Sequence, residues 1–585
     1  MKVLIVGGVA GGAGAAARLR RNDENAEIIM FEKGKYISFA NCGLPYYIGD
    51  VINNKAALQL QTPQSFHARF GVDVRIQNEV VGVDTASKTV TVKRVDSGET
   101  YTESYDVLVI SPGASPVRPP IEGIEKNQVF TLRNIPDTYA IKEYVETHKP
   151  KTAAVIGGGF IGIEMSENLH ALGIEVSIIE AQSHVMATMD SDMTHDLHNH
   201  IRSKGVSLYL NSLASAFTEN SVVLQDGTEV PADMVILSIG VTPETRWLRG
   251  SGIELGARGE ILVDDHLRTN VPDVYALGDA VSVRNIVTDR VAVVPLASPA
   301  NRQARLVADI ICGKERRYTG AQGTAIAKIF DMTAASTGAG EKALQEAGMS
   351  YHKTFTFSAS HAGYYPGGNP MFIKLLYSPE GIVLGGQIVG YEGVDKRIDQ
   401  IATAVRHRFS VYDLQELELA YAPPFSSAKD PVNMAGYTAS NVLEGTFHPF
   451  YIEDFADLPA DAQLIDVRTP DEYALGTIGQ AVNIPLDSLR DHLDELDSNR
   501  KLYIFCQIGL RGYLAERILA QHGFNCVNLS GGYRLYAAWQ NDLQVIGVET
   551  RQYEYCGKEK KSSTRVQGWH NKNDFWILSK FVERF

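Results

Sequence analysis

Short, nearly unbroken apolar runs recur along the chain, each stopped by glycine or charge and followed by a stretch with helical spacing. Lys2 to Val6 (KVLIV) reads as a buried strand. It enters Gly7-Gly8-Val9-Ala10-Gly11-Gly12, an alanine-rich helix is predicted from Ala13 to Arg21, and a second strand from Ala26 to Phe31 ends at Glu32-Lys33. Glycines let the backbone approach a pyrophosphate, the helix N-terminus faces it, and the acid binds a ribose hydroxyl. Val9 stands where the middle glycine of this fingerprint usually sits. The pattern then recurs, with a strand Thr152 to Ile156, the full motif Gly157-Gly158-Gly159-Phe160-Ile161-Gly162, Glu164 on the next helix, and a strand Glu175 to Ile179 ending at Glu180. Two such units imply two dinucleotides facing each other, one resident and one exchanging. Glu180 repels a 2′-phosphate and no arginine follows in Ala181-Gln182-Ser183, so NADH is favoured over NADPH.

Two further strands continue this plan. Tyr105 to Ile110 leads into Ser111-Pro112-Gly113-Ala114, a crossover, and Val274 to Leu277 ends in Gly278-Asp279. Locally, Asp279 reads equally well as a helix N-cap. Residues 323–443 read as a further domain, with strands Ala325 to Phe330 and Met371 to Tyr377 and helices Glu341 to Ala347 and Val394 to Arg406. Gly445 to Ile452 reads as a linker. Beyond it come a strand Leu464 to Arg468, a helix opening at Asp471-Glu472-Tyr473, and a strand Lys501 to Phe505. That last strand runs into Cys506-Gln507-Ile508-Gly509-Leu510-Arg511-Gly512 and a helix Tyr513 to His522.

Composition narrows the class. The 585 residues suffice for several domains, and 55 basic against 69 acidic residues give a net charge of −14. That balance argues against nucleic acid or an anionic membrane as a partner. Five cysteines do not make a disulfide framework in a chain of this length and suit a reducing compartment. No apolar run of about 18 residues is present to span a membrane. The expectation is a soluble cytoplasmic protein with no metal site.

Cysteine chemistry is concentrated at two places. Cys42 lies in Ser38 to Tyr47 (SFANCGLPYY), at a predicted helix start that would stabilise its thiolate. It lacks the C-x4-C partner of a dithiol enzyme, since position 47 is tyrosine. A partner sulfur must therefore come from the substrate. Cys506 sits between a strand and a helix in a glycine-containing loop, where inward N–H groups would stabilise an anionic sulfur.

With both glycine motifs and Asp279 in place, residues from 1 to about 445 resemble the two-dinucleotide-binding-domain flavoproteins, the pyridine nucleotide-disulfide oxidoreductases. The resemblance implies bound FAD, with Asp279 on its ribityl chain, and a homodimer whose third domain lends residues to the partner's active site. The lone Cys42 and the stretch Tyr421 to Pro431 (YAPPFSSAKDP) match the coenzyme A disulfide reductase branch. There the resemblance implies a tyrosine pair near the reactive sulfur and a lysine on the CoA phosphates. Tyr421 and Lys429 fit, and both Tyr364 and Tyr365 are candidates for the second tyrosine. Arg18, Arg21 and Arg69 could add cations for CoA, Ser38 and Asn41 would orient it, and Asn301 stands at a further family contact. Arg18 and Arg21 read equally well as a solvated helix face. Gly14 replaces a residue that usually bears a hydroxyl touching CoA.

Residues from about 452 to 545 resemble a rhodanese domain in which Cys506 would carry a persulfide and Arg511 would close the loop. The C-x4-R loop is shorter than the C-x5-R cradle of the related phosphatases, which favours sulfane sulfur. Gly476-Thr477-Ile478 departs from the Gly-His-Ile of many rhodaneses.

The expected architecture is α/β throughout. It comprises an FAD-binding domain (1–148 and 265–321), an NAD(P)H-binding domain (149–264), an α+β dimerisation domain (322–445) and a rhodanese domain (452–548). The resemblance implies an FAD-dependent NAD(P)H oxidoreductase that reduces CoA disulfide, CoA persulfide or polysulfide through Cys42, with CoA as bound or carrier thiol. The alternatives are an NADH oxidase or peroxidase cycling Cys42 through sulfenic acid, and a rhodanese module that only binds or senses sulfur species. Residues 551–585, with seven basic and three acidic residues after Cys556, receive no function.

Overall fold

The computed structural model describes residues 1–459 and 462–545, and the basic tail lies outside them. The described residues form two compact units, Met1–Gln182 with Asn211–Gly323, and Ser183–Leu210 with the residues from Thr324 onward.

In the first unit, Lys2–Val6 is the middle of a five-stranded parallel sheet ordered Val274–Ala276, Val107–Ile110, Lys2–Val6, Glu27–Glu32 and Asp73–Ile76. Val3 lies opposite Ile28 on one side and Val107 on the other. Val3, Leu4 and Ile5 are fully buried, as strands covered on both faces must be. The following helix spans Ala10–Asn22, so it begins at Ala10 rather than Ala13. Its first turn can hold glycines because it presses on the strand end: a Cβ on Gly12 would stand 1.8 Å from the Gly7 carbonyl oxygen. The second glycine unit is built alike. Thr152–Ile156 pairs in parallel with Glu175–Ile179 and with Met234–Leu237, whose other neighbour is Val129–Phe130.

The second unit contains an antiparallel sheet ordered Ala325–Ile329, Met332–Gly338, Val383–Gly390, Pro370–Tyr377 and His352–Ala359. Every residue of Val383–Gly390 is buried, and a Cβ on Gly386 would meet Ile401 at 2.8 Å. The helix Val394–His407 therefore lies close against this sheet. Lys374 is fully buried and donates to both oxygens of Asp192, at 2.8 and 2.7 Å, while also pairing with Asp190 and Glu341. These three acids gather around the Lys374 ammonium. Burial opposes ionisation of Glu341, yet Lys374 and Lys353 outweigh it and hold its carboxyl down at about 2.

The unit's second sheet is all parallel, ordered Pro449–Phe450, Cys526–Leu529, Leu502–Phe505, Gln463–Asp466 and Val482–Asn483. The linker expected over 445–452 is thus shorter, because Pro449–Phe450 already pairs with Asn528–Leu529. His448 is also held, its N–H and Nδ1 meeting Glu516 at 2.7 and 2.9 Å. A strand this short leaves no periodic signal in the sequence. The last described helix, Gly532–Val545, is tied to the helix His195–Ser203 through Asp542. That buried carboxylate takes His195 at 2.8 Å, His198 at 2.7 Å and Arg202 at 2.6 Å. The Val185 N–H donates to His198 Nε2 at 3.2 Å, so Nδ1 carries the proton and donates it to Asp542 in a hydrogen-bonded latch.

Candidate active site

The first glycine turn is a cradle made by close backbone approach. Gly7 has φ +99°, and a Cβ there would stand 2.0 Å from the Ser111 carbonyl oxygen. Glu32 accepts from the Gly8 N–H at 3.0 Å and the Gly34 N–H at 2.8 Å, which fixes the acid at the strand end where a ribose would lie. Val9 sits at the helix N-cap and needs no glycine geometry, its φ being −106°. Lys33 is engaged by Glu244. Gly113 has φ +73°, and a Cβ would strike Arg133 at 2.4 Å. Asp279 is half-buried; burial pushes its carboxyl up while Arg133 opposes the shift. The Gly278 N–H is tied to Gln303 Oε1 at 2.8 Å. These residues fit a resident dinucleotide.

The second turn has the same form. Gly157 has φ +102°, and a Cβ on Gly162 would lie 1.9 Å from the Gly157 carbonyl oxygen. A Cβ on Gly159 would meet nothing within 4 Å, so this face is open to a ligand, with Phe160 and the exposed Ile161 beside it. Glu180 accepts from the Gly158 N–H at 2.6 Å and the Gln182 N–H at 2.8 Å.

Cys42 is exposed on the 3-10 turn Asn41–Gly43. Ser38 takes the left-handed conformation at φ 43° and donates its N–H to the Gly8 carbonyl at 2.8 Å, which pins the cysteine loop to the first cradle. Asn41 Oδ1 is buried without a hydrogen-bond partner, a polar atom fit to meet a ligand. The helix start proves weaker than expected, since Leu44–Ile48 is short. Although Cys42 is exposed, protein crowded around its sulfur pushes the thiol up, and the Glu164 and Asp279 charges add to this.

Tyr46 and Glu164 complete the surroundings of Cys42, Tyr46 donating to Glu164 Oε1 at 3.4 Å. Burial lifts Glu164 to about 7 against the Tyr46 hydrogen bond, with Glu167 adding to the rise, and burial lifts Tyr46 to about 12. Below pH 7 Glu164 is neutral and leaves the sulfur unaffected, whereas above it the carboxylate disfavours the thiolate. Glu164→Gln is therefore expected to speed alkylation of Cys42 by iodoacetamide about threefold or more at pH 8 and not at pH 6, read by peptide mass.

The expected CoA cations divide. Arg18 is committed to Asp309 at 2.8 Å, and Arg18, Asn22 and Lys314 together hold that acid well below the usual carboxylate range against its burial. Arg21 and Arg69 remain exposed. Asn301 is exposed and donates to the Ala297 carbonyl at 2.9 Å; a Cβ on Gly14 would lie 3.7 Å from its Oδ1.

In the second unit, the Tyr364 and Tyr421 hydroxyls meet at 2.6 Å, whereas Tyr365 packs edge-on against His361. Lys429 is exposed one residue before Asp430, the N-cap of Pro431–Leu443. No local motif marks Arg397, on the helix Val394–His407. It is fully buried and bonds Ser360, Ser426 and Asp430.

Cys506 is buried at the strand end, and the Gly509 N–H donates to its sulfur at 3.1 Å. Gly509 has φ +106° and caps the helix Leu510–Gln521, which starts earlier than Tyr513 and takes in Arg511. Arg511 does not point a free charge at the sulfur. Its guanidinium grips both oxygens of Glu472 at 2.7 Å and rivets the loop to the helix Pro470–Ala474. Arg468, fully buried, binds Asp466 and Gln507 and stacks 3.9 Å from the Tyr533 ring. Thr477, at the departing position, donates to Asp466 at 2.8 Å.

Residues 1–304 match the model of the pyridine nucleotide-disulphide oxidoreductases, 324–431 that of their dimerisation domain, and 452–540 that of rhodanese-like domains. Coenzyme A disulfide reductase of Staphylococcus aureus is 37% identical over 440 residues, covering 75% of this chain and 99% of that protein. The reduced CoADR-RHD of Bacillus anthracis is 47% identical with a TM-score of 0.91, covering 93% of this chain and 98% of the other. The NAD-dependent persulfide reductase of A. fulgidus is 35% identical with a TM-score of 0.87, covering 92% and 100%. The chain belongs to the FAD-dependent pyridine nucleotide-disulphide oxidoreductase family and carries a rhodanese-like domain at its C-terminal side.

Proposed function

We propose that the protein uses NADH to reduce CoA disulfide, CoA persulfide or polysulfide through Cys42, while the rhodanese-like module handles sulfane sulfur. One observation carries this reading. Cys42 is an exposed, unbridged thiol, and the other cysteine of its unit, Cys312, ends the helix Ala297–Ile311 beside Asn22. A sulfur so placed exchanges with a sulfur that the substrate brings.

Bound FAD supplies a two-electron relay between the nicotinamide and sulfur. Gly7, Gly8, Gly11, Gly12, Glu32 and Asp279 would hold it, and Gly157, Gly159, Gly162 and Glu180 would hold NADH. The Cys42 thiolate attacks a disulfide or persulfide sulfur, the new S–S bond forms as the old one breaks, and the leaving thiolate needs a proton. For CoA persulfide the sum is NADH, one proton and CoA-SSH giving NAD+, CoA-SH and hydrogen sulfide. Tyr364 and Tyr421, paired at 2.6 Å, are suited to supply that proton, and Lys429 is suited to a CoA phosphate. In the homodimer these groups serve the partner's Cys42. Asn41 Oδ1 would orient the pantetheine arm.

CoA disulfide should oxidise NADH-reduced enzyme within the turnover time, whereas glutathione disulfide, which lacks the phosphates, should not. Equal rates with both would sink the CoA assignment. NADH is expected to reduce the flavin at least about tenfold faster than NADPH in stopped flow, because the Glu180 carboxylate, held by the Gly158 N–H, would repel a 2′-phosphate. A faster NADPH reaction would overturn that preference.

A further inference from the structure

Both candidate tyrosines lie on exposed loops, where two phenols on separate segments meet only if something fixes the segments together. Tyr364 belongs to the loop after His352–Ala359, and Tyr421 to the stretch before Pro431–Leu443. Both rings are exposed, at 62% and 48%, so packing around them does not hold the pair. The backbone bond between the loops is a single one, Ala362 N–H to the Ser426 carbonyl at 3.0 Å.

Both loops are bonded by the Arg397 side chain, 1% exposed. Its Nη2 donates to the Ser360 carbonyl at 3.0 Å, to Ser426 Oγ at 3.0 Å and to Asp430 Oδ2 at 2.9 Å. Its Nε reaches Asp430 at 3.2 Å, and Nη1 reaches the Gly393 carbonyl at 3.3 Å. Ser426 Oγ donates in turn to Asp430 Oδ2 at 2.7 Å, and Asp430 caps the next helix through the Val432 N–H at 3.1 Å. One planar fork therefore holds the base of the Tyr364 loop, the middle of the Tyr421 loop and the cap next to Lys429 at once. Arg397 holds Asp430 below the ordinary carboxylate range although burial opposes it, so both members of the pair are charged.

We infer that Arg397 is a positioning residue for the reaction at the partner's Cys42, holding Tyr364 against Tyr421 and ordering the helix cap next to Lys429. This rests on the CoA-linked reading above. A lysine at 397 keeps the charge but has one nitrogen in place of a rigid fork, so it cannot bond the two loops and Asp430 in the same geometry. A neutral residue would instead strand the buried Asp430 charge and endanger folding.

The test uses the FAD-loaded full chain, comparing wild type with Arg397→Lys, Ser426→Ala, Tyr364→Phe and Tyr421→Phe. Flavin reduction by NADH, melting temperature, and kcat and KM for CoA disulfide are measured for each. Arg397→Lys is expected to lower kcat about tenfold or more and raise KM for CoA disulfide, with KM for NADH and the flavin reduction rate unchanged. Ser426→Ala, which keeps the fork, should lose only part of this. If the tyrosine variants reduce turnover and Arg397→Lys does not, the positioning role is wrong. A fall that tracks the loss of melting temperature in both Arg397→Lys and Ser426→Ala, with kcat and both KM values moving together, also overturns it. If the tyrosine variants are silent, the CoA-linked reading of the pair fails instead.

Discussion

Replacing Cys42 by serine is expected to leave FAD bound and reducible by NADH while lowering turnover with CoA disulfide or persulfide by ~10³-fold or more. The serine hydroxyl is nearly isosteric, and Cys42 is exposed, so little stability is at stake. What is lost is the exposed thiol of its unit, within reach of a substrate sulfur, whereas Cys312 is half-buried at a helix end. A hydroxyl at neutral pH is not ionised and forms no S–S bond. Steady-state NADH oxidation with CoA disulfide reads the loss, and the spectrum of the NADH-reduced protein reads what is kept. Retained turnover would mean that another sulfur reduces the substrate.

The second large effect belongs to Cys506. Cys506→Ser should abolish sulfur transfer from thiosulfate to cyanide, and CoA disulfide reduction should persist within about twofold, since sites that share no partner act independently. Each sulfur has its own surroundings, Cys506 having the Gly509 N–H and the Arg511–Glu472 rivet and Cys42 having Tyr46 and Glu164. Coupling is expected with polysulfide. The Cys506 thiolate would take one sulfane atom and shorten the polysulfide. CoA thiolate would then accept that atom and carry it to Cys42 as CoA persulfide, which returns Cys506 to the thiolate. NADH oxidation with polysulfide should therefore respond to added CoA in wild type and not in Cys506→Ser. If the mutant matches wild type with and without CoA, the handover is wrong.

Elements that repeat a strong local pattern were readable from the residues. The runs Lys2–Val6, Thr152–Ile156 and Leu502–Phe505 are buried parallel strands, and the helices Glu341–Ala347 and Val394–His407 lie where their spacing placed them. The first helix starts early because glycine has no side chain to mark a helical face, although Gly11 and Gly12 are what let it touch the strand. Pro449–Phe450 was invisible because two residues cannot show a period. The site was legible where chemistry is local, as in the acid closing each glycine unit and each cysteine in its loop. Partnership across the fold was not legible. Nothing in the sequence joins Arg18 to Asp309, Arg511 to Glu472, or Arg397 to Ser360 and Asp430, and these pairings decide which cations are free. That the Tyr364 hydroxyl meets that of Tyr421, while Tyr365 packs against His361, likewise needed the loop geometry.

Cys42 is expected to work through a sulfur lent by CoA. The direct measurement is the mass of the purified, air-oxidised holoenzyme before and after reduction, with the released thiol identified and the modified peptide sequenced. CoA should be released in proportion to the protein and be carried on the Cys42 peptide. A sulfenic acid at Cys42 with no thiol released, or a bridge from Cys42 to another cysteine of the chain, would contradict it.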